Sequence, residues 1–211
     1  MKRIGLIFDV DGTLWDSREV VSESWSEVTK AYGLGSINVE DMTKTMGMPM
    51  TGIADALFGN LAKEKRLALL NECTAHELVY LKKHPGTLYE GMEKTLSFLK
   101  EQGFHLFILS NAQPGYIEVF LEGTKLGKYF EDYICWGDNG FPKSENMKIL
   151  STRNHLDEFY YIGDTGMDEK EANKANAPFV YASYGFGKAN HPFYVLKKFA
   201  DLMNFPSFLH L

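Results

Sequence analysis

The run Ile4-Gly5-Leu6-Ile7-Phe8 leads straight into Asp9-Val10-Asp11-Gly12, and this junction constrains the fold more than any other part of the chain. An unbroken apolar run of this length reads as a strand buried on both faces, the habit of parallel sheets rather than of half-wet antiparallel ones. Side chains at i and i+2 of an extended segment leave on the same side, so Asp9 and Asp11 are expected to converge on one small volume where the strand meets a glycine turn. Like charges that close repel and push one carboxyl's pKa up. Such a pair makes sense where a divalent cation compensates it or where one member must carry a proton, and phosphoryl transfer through an aspartyl-phosphate asks for both.

Further strands are expected at 105–110, 133–136, 159–163 and 179–182, each short and largely apolar. Helical patterns separate them at 91–102, 113–123, 143–153 and 168–176; in the first, Met92, Leu96 and Leu99 recur on one face before Gly103. Buried strands alternating with helices predict an α/β fold with a doubly wound, Rossmann-like parallel sheet. Between the first strand and helix 91–102 the sequence offers no convincing strand, only helical stretches near 17–32, 39–46, 50–58 and 61–82. A crossover of that length is abnormal. The expectation is therefore a core of 1–15 and 84–211 carrying an all-helical cap, 16–83, that leaves near Asp16 and returns at His84-Pro85-Gly86. Two connections side by side make a hinge, and a helical unit hinged over a charged site reads as a lid.

The composition narrows the function. The chain of 211 residues is 45% hydrophobic and 24% charged, with a net charge of -6 and no clustering of lysine and arginine, which disfavours nucleic acid and anionic membranes as partners. Asp9 interrupts the N-terminal apolar run too early for a signal peptide, and no segment approaches the roughly 20 apolar residues of a membrane span, so the expected location is the cytoplasm. Cys73 and Cys135 form neither a metal spacing nor a disulfide framework and read as buried, inert thiols.

Three more polar positions lie at predicted strand ends or helix starts on the carboxyl side of the sheet, where doubly wound folds bind ligands. Ser110 and Asn111 close strand 105–110 and offer a hydroxyl and an amide. Lys143 opens a helix, a poor place for a cation against the positive end of the macrodipole, so something anionic should offset it. Asp164 and Asp168, four residues apart after strand 159–163, can face one site if a helical turn begins at Thr165. Two alternatives fail on spacing. A calcium loop counted from Asp9 needs glycine and glutamate where Leu14 and Val20 stand, and Gly185-Phe186-Gly187 lacks the third glycine of a dinucleotide fingerprint.

Taken together these four turns resemble the four motifs of the haloacid dehalogenase-like superfamily, in its phosphoglycolate phosphatase-like branch with a helical cap, over essentially the whole chain. The resemblance implies that Asp9 is the nucleophile and a ligand of a magnesium ion (Mg2+), and that Asp11 is the general acid/base and offers the metal its main-chain carbonyl. It implies that Ser110 and Lys143 hold the phosphoryl group, that Asp164 ligates the metal directly, and that Asp168 acts through a bound water. Thr13, Ser110, Asn111 and Lys143 make up the expected substrate-binding set. An aspartate at position 11 favours phosphate-ester hydrolysis over dehalogenation. The cap loop Met46-Gly47-Met48-Pro49-Met50-Thr51-Gly52 resembles a specificity loop and carries no arginine, which weakens the reading as a sugar-phosphate mutase. A phospho-accepting regulatory domain is the other alternative. The expected partner is a small phosphorylated metabolite, met by a monomer or a weak homodimer.

Overall fold

The computed structural model describes residues 2–209. It opens with β1 (Ile4–Phe8) and a two-residue strand β2 (Trp15–Asp16), followed by four helices, α1 (Arg18–Ala31), α2 (Val39–Thr45), α3 (Met50–Phe58) and α4 (Lys63–Leu81). The chain then returns through β3 (Thr87–Leu88) to α5 (Met92–Glu101), β4 (His105–Ser110), α6 (Tyr116–Thr124), β5 (Phe130–Cys135), α7 (Trp136–Asn139) and α8 (Lys143–Arg153). It ends with β6 (Glu158–Gly163), α9 (Gly166–Lys174), β7 (Phe179–Ala182), β8 (Tyr194–Leu196), a 3-10 segment at Phe199–Asn204 and α10 (Phe205–Phe208).

Six strands form one sheet in the order β5-β4-β1-β6-β7-β8, all pairings parallel. Alternate side chains of β1 serve opposite faces. Leu6 and Phe8 join an apolar cluster with Leu96, Ile117 and Phe205, while Ile7 packs with Met147, Leu150 and Ala172 of α8 and α9. Both faces of the central strand are therefore dry, as its unbroken apolar run requires. The first cluster continues into the inserted helices through Trp25, Phe58, Leu69 and Cys73. At the root of the insertion β2 and β3 pair antiparallel, Trp15 opposite Leu88 and Asp16 opposite Thr87, so the two connecting segments are tied together.

Two edges differ from the sequence reading. The strand expected at 133–136 runs from Phe130 to Cys135, and Trp136 begins a one-turn helix in which Asp138 accepts from the Cys135 N–H at 2.9 Å. Its first half carries Glu131 and Asp132, which take hydrogen bonds from Arg3, Lys100 and Arg153 at the surface, so the apolar signal is lost there. Likewise β8 is a three-residue edge strand with Val195 exposed, too short to register as a pattern.

Candidate active site

The sheet order reverses at β1, with β4 and β5 to one side and β6, β7 and β8 to the other, and the crevice opens at such a reversal. Asp9 follows β1 and Asp164 follows β6, its direct neighbour in the sheet, while Asp168 lies on the first turn of α9. One oxygen from each of these three lies within 4.8 Å of the others. Lys143, first residue of α8, reaches in from the other side, its Nζ 2.9 Å from Asp9 Oδ1 and 2.7 Å from Asp168 Oδ1. Two carboxylates thus offset the cation that opens a helix. Asp9, Lys143, Asp164 and Asp168 are 3%, 2%, 1% and 1% exposed, so these charges act through little water.

Three acids against one lysine leave an excess of negative charge. Burial pushes the Asp9 carboxyl up to about 7, with Lys143 opposing and Asp168 adding to the rise. Burial and the charges of Asp168 and Asp9 hold Asp164 well above the usual carboxylate range. Asp168 is lowered instead, because Lys143 and Thr165 outweigh its burial, and Lys143 is raised because Asp168 and Asp9 outweigh its own. The donor set fits a hard divalent cation, being all oxygen. Asp164 Oδ1 is buried without a hydrogen-bond partner among the described residues, while Oδ2 accepts from the Phe186 N–H at 2.6 Å. Asp168 contributes charge rather than an open ligand atom. Its Oδ1 accepts from Lys143 and Tyr161, and its Oδ2 from the Thr165 N–H and hydroxyl, which caps α9.

The carboxylate of Asp11 is not one of the three that gather here; the resemblance implies that Asp11 offers a metal its main-chain carbonyl, not its side chain. Extended geometry ends at Phe8. The Val10 carbonyl then accepts from the N–H groups of Thr13, Leu14 and Trp15 in a tight turn, so the i, i+2 rule no longer governs Asp11. Asp11 and Asp9 still line one cavity. Oδ1 of Asp11 accepts from Trp15 Nε1 at 3.1 Å, from the Ser17 hydroxyl and from the Tyr116 hydroxyl at 2.6 Å, and Oδ2 carries no hydrogen bond among the described residues. Burial raises its pKa against the pull of those donors.

The sequence profile of the haloacid dehalogenase-like hydrolases matches residues 6–182, which spans every one of these residues. The chain belongs to the haloacid dehalogenase-like hydrolases. Among relatives in this family, a phosphoglycolate phosphatase of Aquifex aeolicus is 27% identical over 206 residues, covering 94% of either chain. A pyrophosphatase PpaX of Bacillus velezensis is 27% identical with 96% of either chain covered. A haloacid dehalogenase-like hydrolase structure from Streptococcus pneumoniae superposes with a TM-score of 0.84 at 17% identity, covering 96% of this chain and 98% of that one, and so shares the fold.

Within this hydrolase framework the remaining expected residues fall unevenly. Ser110 lines the cavity and its Oγ accepts from the Ala112 N–H at 3.1 Å, leaving its own proton to donate. Asn111 also lines the cavity, but its Nδ2 donates to the Gly47 carbonyl at 2.8 Å and so grips the inserted helical unit. Thr13 does not line it. The turn at Gly12 buries Thr13 completely, with a hydroxyl that has no partner among the described residues and a carbonyl that accepts from Tyr184. Sequence reasoning missed Ser17, Tyr116 and Tyr161, the hydroxyls that hold Asp11 and Asp168, and nothing in their local patterns marks them. It also missed Glu77. Leu70, Cys73, Glu77 and Leu81 form the buried stripe of α4, so a glutamate occupies an apolar position there, which is a readable signal. No helix among the described residues is long and apolar enough to cross a membrane.

Proposed function

We propose that this hydrolase is a magnesium-dependent phosphatase that removes phosphate from small metabolites in the cytoplasm through an aspartyl-phosphate on Asp9. The observation that carries the reading is the pairing of Asp9 with Lys143 at 2.9 Å in a cavity that Asp11 also lines. Asp9, Asp164 and the charge of Asp168 would hold the metal, with the main-chain carbonyl of Asp11 as the resemblance assigns it. The bound cation supplies neutralisation of phosphoryl charge and orientation of the nucleophile.

The chain's own groups divide the work. A carboxylate oxygen of Asp9 attacks phosphorus and the ester oxygen leaves, its charge met by a proton from Oδ2 of Asp11. Burial, which raises the Asp11 pKa, favours its carrying that proton at the start. Trp15, Ser17 and Tyr116 fix the carboxyl by its other oxygen, which leaves Oδ2 to carry the proton. Asp11, now ionised, takes a proton from water, whose oxygen attacks phosphorus and releases phosphate from Asp9. Lys143 and the Ser110 hydroxyl hold the phosphoryl oxygens throughout. Nothing in the cavity favours the mutase reading, because Lys143 is its sole lining cation among the described residues and a second phosphate would find none. The test is hydrolysis of p-nitrophenyl phosphate. Turnover should stop on chelation, return with added magnesium, and be lost in Asp9→Asn with the circular dichroism spectrum intact; wild-type rates in that variant would reject the nucleophile.

A further inference from the structure

The mechanism leaves one buried acid in the cavity unused. Glu77 projects from α4 into the same space as Asp9 and Asp11 and is 4% exposed. Its oxygens accept from two neutral donors, the Trp25 indole N–H and the Gln113 amide at 3.1 Å, and no lysine, arginine or histidine among the described residues pairs with it. Buried carboxylates are ordinarily matched by a cation. Here the described residues supply none, and burial pushes the group up to about 7, with Asp11 adding to the rise.

The rest of the wall sharpens the point. Trp25 lies beside the carboxylate, and Met42, Met46, Met48 and Met50 provide apolar surface without charge. Lys143 is already committed to Asp9 and Asp168. A phosphoryl group is provided for; a second anion on the substrate would meet Glu77 in a low-dielectric space with nothing to balance it. An ammonium group would meet a carboxylate, a favourable partner for it. Glu77 and Lys143 line one cavity, so a phosphoryl group on Lys143 and an ammonium group on Glu77 call for a short linking alcohol.

Resting on the phosphatase reading, we propose that the substrate class is short phosphate monoesters whose leaving alcohol carries an ammonium group, bound by Glu77 beside Trp25. Esters with an anionic leaving group, phosphoglycolate among them, are disfavoured. The relatives' names therefore do not transfer as substrates.

The experiment compares kcat/KM at pH 7.5 with magnesium for phosphoethanolamine, its neutral isostere n-propyl phosphate, and 2-phosphoglycolate. Phosphoethanolamine should exceed propyl phosphate by about tenfold or more and 2-phosphoglycolate should fall below both, the scale expected when a buried charge is matched or opposed. In Glu77→Gln the ratio of the first two should contract to within about threefold of one, mainly through KM for the amine. A wild-type ratio of one or less, or 2-phosphoglycolate as the best of the three, overturns the assignment of Glu77 while leaving a phosphatase. Absence of phosphate release from all three and from p-nitrophenyl phosphate rejects the phosphatase reading itself. Should Glu77→Gln fail to fold, the wild-type order decides alone.

Discussion

Asp11 is positioned by three donors on a single oxygen, and that asymmetry has a kinetic consequence. Asp11→Asn preserves the shape and the hydrogen-bond acceptor but cannot exchange a proton, so breakdown of the phosphorylated Asp9 should slow by about 10²–10⁴-fold, the usual worth of a positioned acid/base. Acid-quenched enzyme should then retain labelled phosphate; an absence of trapped phosphoenzyme together with normal turnover would remove Asp11 from the mechanism. Glu77 yields a prediction of stability. Its carboxyl rises from an ordinary 4.5 to about 7 in the folded chain, so the fold binds the proton more tightly than the unfolded chain does. The contribution is fully present below pH 4.5 and is lost as pH climbs through about 7. Glu77→Gln removes this dependence, and relative to wild type it should gain roughly 3 kcal/mol between pH 4.5 and pH 8 in urea unfolding, at about 1.4 kcal/mol per pKa unit. Titrating groups that do not interact with Glu77 cancel in that difference; equal offsets at both pH values would contradict the raised carboxyl. At this scale the sequence was informative about acids and the lysine, because their types and places at strand ends are visible in one dimension. Tyr116 meets Asp11 from 105 residues away, and no local pattern encodes such a partner.

At the scale of elements, the turn after β1 depends on glycine. Gly12 has φ of +77°, and a Cβ there would lie 2.2 Å from Asp164 Oδ2, so the loop and the β6 end are packed backbone against carboxylate. Gly33 has a similar φ of +71° but open space around it. Gly33→Ala should therefore cost only the left-handed backbone penalty, about 1–2 kcal/mol. Gly12→Ala adds a clash that displaces Asp164, and should lower the melting temperature further and weaken the stabilisation gained on adding magnesium; equal effects of the two substitutions would mean that Asp164 tolerates the displacement. The central strands were legible because β1, β4 and β6 are built on apolar runs, Ile4–Phe8, Leu106–Leu109 and Phe159–Ile162. The edges were not. β5 carries Glu131 and Asp132 in its exposed half, β8 is three residues long, and the β2–β3 ribbon has two residues a side, below the length at which period-two alternation can be read.

For the whole molecule, the sequence leaves open whether Phe205-Pro206-Ser207-Phe208-Leu209 docks on its own core or on a neighbour, since an apolar C-terminal run satisfies either. The structure folds it inward. Phe205 is fully buried, its ring 5.2 Å from Tyr160, 5.4 Å from Tyr194 and 6.4 Å from Phe104. Just ahead of it Phe199 packs 6.1 Å from Phe8, the residue before Asp9, so the end of the chain closes the face of the sheet behind the site. Phe208, by contrast, remains 42% exposed. Phe205→Ala should then cost about 3–5 kcal/mol, typical of a buried phenylalanine. In a chain of this size that is roughly 10 °C of melting temperature, at about 2–4 °C per kcal/mol. Phe208→Ala should cost less than about 1 kcal/mol, as partly exposed positions do. Phe205 lies outside the cavity wall, so kcat/KM of Phe205→Ala at 25 °C should stay within about threefold of wild type while the fold persists. A large loss of activity without loss of stability would mean that the C-terminal segment positions Asp9 through Phe8 and Phe199 rather than only sealing the core.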